Sequence, residues 1–309
     1  MCLMLEHEWK LATSACVQAS SQAKMPRMSL PSHIWINGTV LPTAEARISP
    51  FDHGFLVGDG VFETLVARHG KPFTAIRHWK RLVASCDAMG IAAPRFELFI
   101  AAIQGVMDAN GMSDARIRVT VTSGDGPLGS DRGHDTPTMT VVASVLKPWP
   151  LTETAVTVPW TRNERGGLAG IKSTSYGENA RALAEAKARG AGEAILANTR
   201  GELCEGTGTN IFVVHDNLVK TPPLDSGCLA GVTRALVIEA CQHAGIPVHE
   251  VAMPLSILQS CQEAFLTSST RDVHPLAAID GRKLPGESAA MTQRIAQAFR
   301  DFIAGKDDP

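Results

Sequence analysis

Along this chain the spacing of apolar residues switches repeatedly between two and three-to-four, and the first clear pattern begins at His33. The run His33-Ile34-Trp35-Ile36-Asn37-Gly38-Thr39-Val40 predicts strand, Asn-Gly turn and strand, because Asn and Gly accept the positive φ of a tight hairpin turn. Residues 59–68 predict a second strand, and His69-Gly70 its turn into residues 71–75. Two segments with helical spacing follow, 77–90 and 95–111, each closing on a glycine (Gly90, Gly111) where a left-handed C-cap belongs. Residues 115–123 then alternate strictly, which predicts a strand with Arg116 and Arg118 on one face and Ile117 and Val119 on the other. After a Gly-, Asp- and Ser-rich stretch at 124–135, residues 137–145 return to strand. The first part of the chain therefore reads as a mixed sheet with two helices on it.

Pro148 and Pro150 mark a linker. Beyond them the pattern predicts a strand at 154–159, a Gly-rich loop at 165–170, a helix at 176–190 and strands at 193–198 and 211–214. A helix at 232–244, strands at 248–251 and 263–267 and a terminal helix at 287–304 complete it. No internal repeat is present, and the alternation of elements predicts a two-lobed α/β enzyme. Its expected parts are a flexible extension or upstream start over 1–27, a smaller α/β domain over 28–150 and a larger domain over 151–309.

Composition narrows the function. At 309 residues the chain exceeds one ordinary core, while 44% hydrophobic, 19% charged and a net charge of -2 give no basic excess to hold nucleic acid. The seven cysteines are scattered, odd in number and never spaced as a metal knuckle, so reduced thiols in a cytoplasm are expected, with no metal. No apolar run is long enough for a bilayer, and the acidic start (Glu6, Glu8) does not resemble a secretory signal.

Lys172 differs from the other lysines. Small residues precede it (Gly167 to Ile171) and hydroxyls follow it (Ser173, Thr174, Ser175, Tyr176), a setting in which a partly dehydrated amine could be neutral and nucleophilic. Taken alone it reads as a solvated lysine in a flexible loop. Glu205, within Leu203-Cys204-Glu205-Gly206-Thr207-Gly208-Thr209-Asn210, stands at a tight turn before the strand 211–214. A carboxylate there could hold a pyridine nitrogen in its cationic form, or be an exposed turn acid. Leu229-Ala230-Gly231-Val232-Thr233-Arg234 opens a helix whose free N–H groups suit an anion, unless Thr233 merely caps it. Thr267-Ser268-Ser269-Thr270 ends a strand with hydroxyls that could crowd a phosphate. Arg81 could grip a phosphate bidentately, and Arg116 or Arg118 a substrate carboxylate, if they face a cleft rather than solvent.

In this order, the lysine, the glutamate of a Gly-Thr-Gly-Thr-Asn segment, the Gly-Val-Thr helix start and the Ser-Ser-Thr loop resemble the class IV aminotransferase family, the fold type IV pyridoxal-phosphate (PLP) enzymes, over about residues 33–285. Asp59-Gly60-Val61-Phe62-Glu63 looks like that family's early signature, and His78-Trp79-Lys80-Arg81-Leu82 its phosphate-arginine helix. The resemblance implies a smaller mixed-sheet α/β N-terminal domain, a larger pseudo-barrel C-terminal domain, PLP between them and a homodimer. It implies that Lys172 is the Schiff-base lysine and proton carrier, and that Glu205 holds the ring nitrogen. Arg81, Val232 through its N–H, Thr233, Ser269 and Thr270 would hold the phosphate. Tyr176 resembles the tyrosine at the ring hydroxyl in branched-chain members, set one residue nearer the lysine.

The texture around Phe51–Phe55 and Gly126–Gly133 is similar to that of 4-amino-4-deoxychorismate lyases, which remove a proton from the amine-bearing carbon and release pyruvate and 4-aminobenzoate for folate synthesis. Ser123 departs from the arginine of the lyase and D-amino-acid branches. Arg118 matches the carboxylate arginine of branched-chain members, and Arg132 offers a substitute from the following loop. The alternatives are transamination of a D- or branched-chain amino acid or an amine, and a non-enzymatic carrier of phosphate ligands or PLP.

Overall fold

The first turn forms as its chemistry dictates: Asn37 (φ 45°) and Gly38 (φ 99°) close a hairpin between β1 (His33–Ile36) and β2 (Thr39–Pro42), with Trp35 opposite Val40. A one-turn helix α1 (His53–Leu56) starts where the Asp52 side chain accepts from the Gly54 N–H. Strand β3 (Gly60–Arg68) is buried along most of its length, and β4 (Lys71–Pro72) turns back from it. Helices α2 (Ala75–Met89) and α3 (Phe96–Asn110) stop at Gly90 (φ 65°) and Gly111 (φ 62°), the left-handed caps the sequence predicts. Strands β5 (Ala115–Thr122) and β6 (Thr138–Val145) complete a six-stranded sheet of order β2-β1-β6-β5-β3-β4. All its pairings are antiparallel, so the mixed pairing expected here is not found: the two helices return the chain beside β3 in the opposite direction instead of making a parallel crossover.

The alternation in β5 has its usual consequence. Ala115, Ile117, Val119 and Val121 are buried in one core with Leu82, Phe99, Ile103 and Met107 of the two helices, while Arg116 and Arg118 project from the opposite face. Burying each of the large side chains stabilises the layer by about 1.5–3 kcal/mol.

The second sheet contains β7 (Glu153–Arg162), β8 (Glu193–Asn198), β9 (Leu203–Gly206), β10 (Asn210–His215), β11 (Leu218–Thr221), β12 (Val248–Glu250), β13 (Glu263–Ser268), β14 (Asp272–Ile279) and β15 (Arg282–Lys283). Its path is β12-β11-β10-β13-β14-β7-β8-β9, with β15 on β14, and it curls into an incomplete barrel. Parallel pairs (β7 with β8 and β14, β11 with β12) mix with antiparallel ones. Helices α4 (Gly177–Ala188), α5 (Val232–His243) and α6 (Ala290–Ile303) pack on it, α5 and α6 through a core containing Leu236, Val237, Phe265 and Phe299. Glu205 lies in β9 rather than in a turn: the Gly-Thr-Gly-Thr segment turns only after it, and Glu205 pairs with Leu196.

The loop from β7 to α4 is fastened to the first sheet. Lys172 C=O accepts from Phe62 N–H at 2.9 Å, Gly60 C=O accepts from Thr174 N–H at 2.8 Å, and Val61 and Ser173 form an antiparallel bridge. Residues 31–309 form one compact unit. The computed structural model describes residues 30–133 and 136–309; the extension expected over 1–27 lies outside them. Among the described residues no helix is long and apolar enough to cross a membrane, and no cluster of acids, histidines and cysteines suits a metal ion.

Candidate active site

A cavity of about 810 Å³ opens where the fastened loop meets both sheets. Every residue that the sequence singles out for the site lines it, except Arg132. Lys172 is partly buried, with Nζ 4.5 Å from the centre of the Phe62 ring. Burial above all, together with the nearby Arg81 and Arg118, pushes its pKa down to about 8, against the pull of Glu63 and Glu205. The amine is thus readily neutral, the form that attacks a carbonyl or accepts a proton.

Arg81 projects from α2, and its guanidinium is held in place. Nε and Nη2 donate to the two carboxylate oxygens of Glu63 at 2.7 and 2.8 Å, and Nη1 donates to Ala230 C=O at 3.0 Å. Glu63 is wholly buried, and its Oε2 also lies 2.7 Å from His78 Nδ1. Burial alone would raise the Glu63 pKa, but Arg81 and His78 more than reverse this and hold it far below the usual carboxylate range. The far nitrogen of His78 is 3.3 Å from Ser269 Oγ, so one chain of contacts joins the arginine to the Ser-Ser-Thr loop.

Glu205 contrasts with Glu63. Its Oε2 accepts from Leu229 N–H at 2.9 Å; its Oε1 has Arg162 Nε at 3.2 Å, without a hydrogen-bond alignment. Burial wins over these contacts and over Lys172, and raises its pKa. Beside it, α5 begins at Gly231 without any side-chain cap, leaving the Val232 and Thr233 N–H groups at the cavity wall. Any side chain at position 231 would collide with Asn210, whose Nδ2 holds Leu229 C=O at 2.9 Å. Ser269 and Thr270 also line the cavity, and the buried Thr267 Oγ1 has no hydrogen-bond partner.

Tyr176 reaches the cavity despite its offset, edge-on to Phe62 at 5.2 Å between ring centres. Burial and then Glu205 push its pKa up to about 12, so its hydroxyl remains a donor. Arg118 places its guanidinium 3.7 Å from the Phe62 ring centre, and burial lowers its pKa. Arg132 is engaged elsewhere, donating to Asp59 at 2.6 and 2.5 Å and to Gly90 C=O at 3.3 Å.

Several residues of the site have no signal in the sequence pattern. Arg162, at the end of β7, carries none. Glu63 appears in the sequence only as the last residue of the Asp59–Glu63 signature, with no role assigned to it. Glu193, wholly buried in β8, accepts from the Thr207 N–H at 2.9 Å and from the hydroxyls of Thr207 and Thr209, which pins the loop after Glu205.

These features fit a phosphorylated pyridine aldehyde. There is an amine with a depressed pKa, a buried acid short of donors, an uncapped helix start, an orphaned buried hydroxyl and a guanidinium locked in orientation. The profile of amino-transferase class IV proteins matches residues 60–279. A branched-chain-amino-acid aminotransferase assignment belongs to a Methanocaldococcus jannaschii protein that is 35% identical over 87% of this chain and 96% of its own length. Aminodeoxychorismate lyase of Bacillus subtilis is 30% identical over 87% of this chain and 94% of its own. The branched-chain aminotransferase of Thermoproteus uzoniensis, solved with norvaline, superposes with a TM-score of 0.82 at 29% identity, covering 89% of this chain and 96% of that one. Fold, cavity and relatives agree, and the chain belongs to the class IV aminotransferase family of PLP-dependent enzymes.

Proposed function

We propose that Lys172 is the catalytic base of this enzyme and that its reaction is the cleavage of 4-amino-4-deoxychorismate to 4-aminobenzoate and pyruvate. The observation that carries the chemistry is the amine of Lys172, depressed to about 8 inside a cavity that also holds Arg81 and Glu205. Bound here, PLP supplies a sink for the electron pair left when a proton departs from the amine-bearing carbon. Lys172 Nζ attaches the cofactor and carries that proton. Glu205 holds the ring nitrogen, and Tyr176 donates to the ring hydroxyl. Arg81, the N–H of Val232, Thr233, Ser269 and Thr270 hold the phosphate. Arg118 binds a substrate carboxylate, while Arg132, fixed to Asp59, supports the neighbouring loop from outside the cavity.

The lyase reading is supported by the Bacillus subtilis relative and by a cavity large enough for a cyclic substrate beside the cofactor. Transamination of a D- or branched-chain amino acid is the second reading, favoured by the 35% identity to the archaeal protein. Residues 28–150 and 151–309 act as two domains with the cofactor between them. The exposed Phe51, Phe55, Val57 and Leu128 support a homodimer, and the composition supports a cytoplasmic location. The deciding experiment feeds the purified enzyme aminodeoxychorismate alone, then amino donors with pyruvate or 2-oxoglutarate. Pyruvate released without an acceptor is the expected result; strict dependence on an oxo acid overturns the lyase reading.

A further inference from the structure

The cavity contains four arginines, and they fall into two pairs. Arg81 is tied to Glu63, and Arg162 lies against Glu205 and Glu178. Arg116 and Arg118 have no such partner: among the described residues no carboxylate lies within ion-pair distance of either. They sit two residues apart on the exposed face of β5, opposite Val66 and Thr64 of β3, and so stand about 7 Å apart along the strand. Burial first, and the Arg116 guanidinium after it, raise the cost of the charge on Arg118. An apolar substrate side chain placed against them would take water away and return nothing.

We propose that Arg116 is a specificity-determining residue which, with Arg118, selects substrates that carry two carboxylates. The division of labour follows from position. Arg118 stacks on Phe62, the ring over which the Lys172 amine also lies, so it takes the carboxylate nearer the reacting carbon. Arg116 is one strand repeat farther from that ring and takes the distant one. The inference rests on the reading of this cavity as a PLP site, but not on the choice between lyase and aminotransferase, since either reaction can use a dicarboxylate.

The test is a binding measurement on the full-length, PLP-loaded protein with two unreactive acids of equal length, glutarate and pentanoate, read from the shift in cofactor absorbance. Glutarate should bind at least about 10-fold more tightly. In Arg116→Met that ratio should fall to near one with the cofactor absorbance retained, and Arg116→Lys should restore part of it. Equal affinity of the wild-type protein for both acids, or an equal weakening of both by Arg116→Met, overturns the proposal while leaving the PLP site standing. A protein that does not take up PLP at all instead defeats the reading of the site beneath it.

Discussion

Glu205 lines the cavity and Glu63 lies behind Arg81, which also lines it; both acids are buried, yet their surroundings treat them oppositely. Glu63 receives two guanidinium hydrogen bonds and an imidazole, and is held ionised. Glu205 receives one backbone N–H and an ill-aligned arginine, and burial raises its pKa. A carboxylate whose donors are already complete can only hold what holds it; one left short of donors is fitted to receive something else. The difference makes Glu63 part of the scaffold for Arg81, and leaves Glu205 with the free acceptor capacity that its proposed role at the ring nitrogen requires.

The strongest test removes the amine whose charge both acids favour. Lys172→Ala should cost roughly 10²–10⁴-fold or more in turnover and abolish the visible absorbance of attached cofactor, while thermal unfolding shifts little; near-normal turnover would make both carboxylates irrelevant to chemistry. Next, Glu63→Gln leaves a buried guanidinium without its counter-ion and should destabilise the fold by about 3–5 kcal/mol in chemical denaturation, with weaker PLP binding. A change below about 1 kcal/mol would erase the contrast. Glu205→Gln should do the reverse: stability within about 1 kcal/mol of the parent, because the amide oxygen still accepts from Leu229, but turnover lower by about 10²-fold. Loss of stability without loss of turnover would invert the assignment.

The pH dependence is a gentler probe. Lys172 ionises at about 8 in the folded protein against an ordinary 10.5, so between those values the unfolded chain binds more protons and stability should rise with pH. Below about 8 the cost of burying the ammonium is present in full. PLP capture by the cofactor-free protein should gain rate with pH through the same midpoint near 8, followed by absorbance; a midpoint above 10 would mean an exposed amine. Glu63 acts with the same sign in an acid window: its depressed pKa contributes stability above the ordinary carboxylate range that is lost as pH falls through it.

Much of this was readable from residues alone, for local reasons. The Asn37-Gly38 turn and the caps at Gly90 and Gly111 depend on the φ preferences of single residues, and β5 on strict alternation, so these appear where expected. Strand β9 did not announce itself, because four residues ending in Gly look like a turn until Leu196 is seen beside Glu205. The scaffold role of Glu63 depends on α2 folding back over β3 to bring Arg81 and His78 within reach, and no spacing within the strand encodes that approach. Arg132 failed for a related reason: its nearness in sequence to the site says nothing of Asp59, which claims it.

The stitching of the lysine loop to β3 has a consequence for assembly. The bridge between Val61 and Ser173 joins positions more than a hundred residues apart, and closure of so long a loop belongs late in the ordering of a chain. Until that closure occurs, the nucleophile has no floor of Phe62 beneath it and neither acid within reach. Uptake of the aldehyde then becomes a clock for maturation: colour develops only in molecules that have finished folding, and a refolding experiment followed at the cofactor's absorbance should lag one followed by secondary structure.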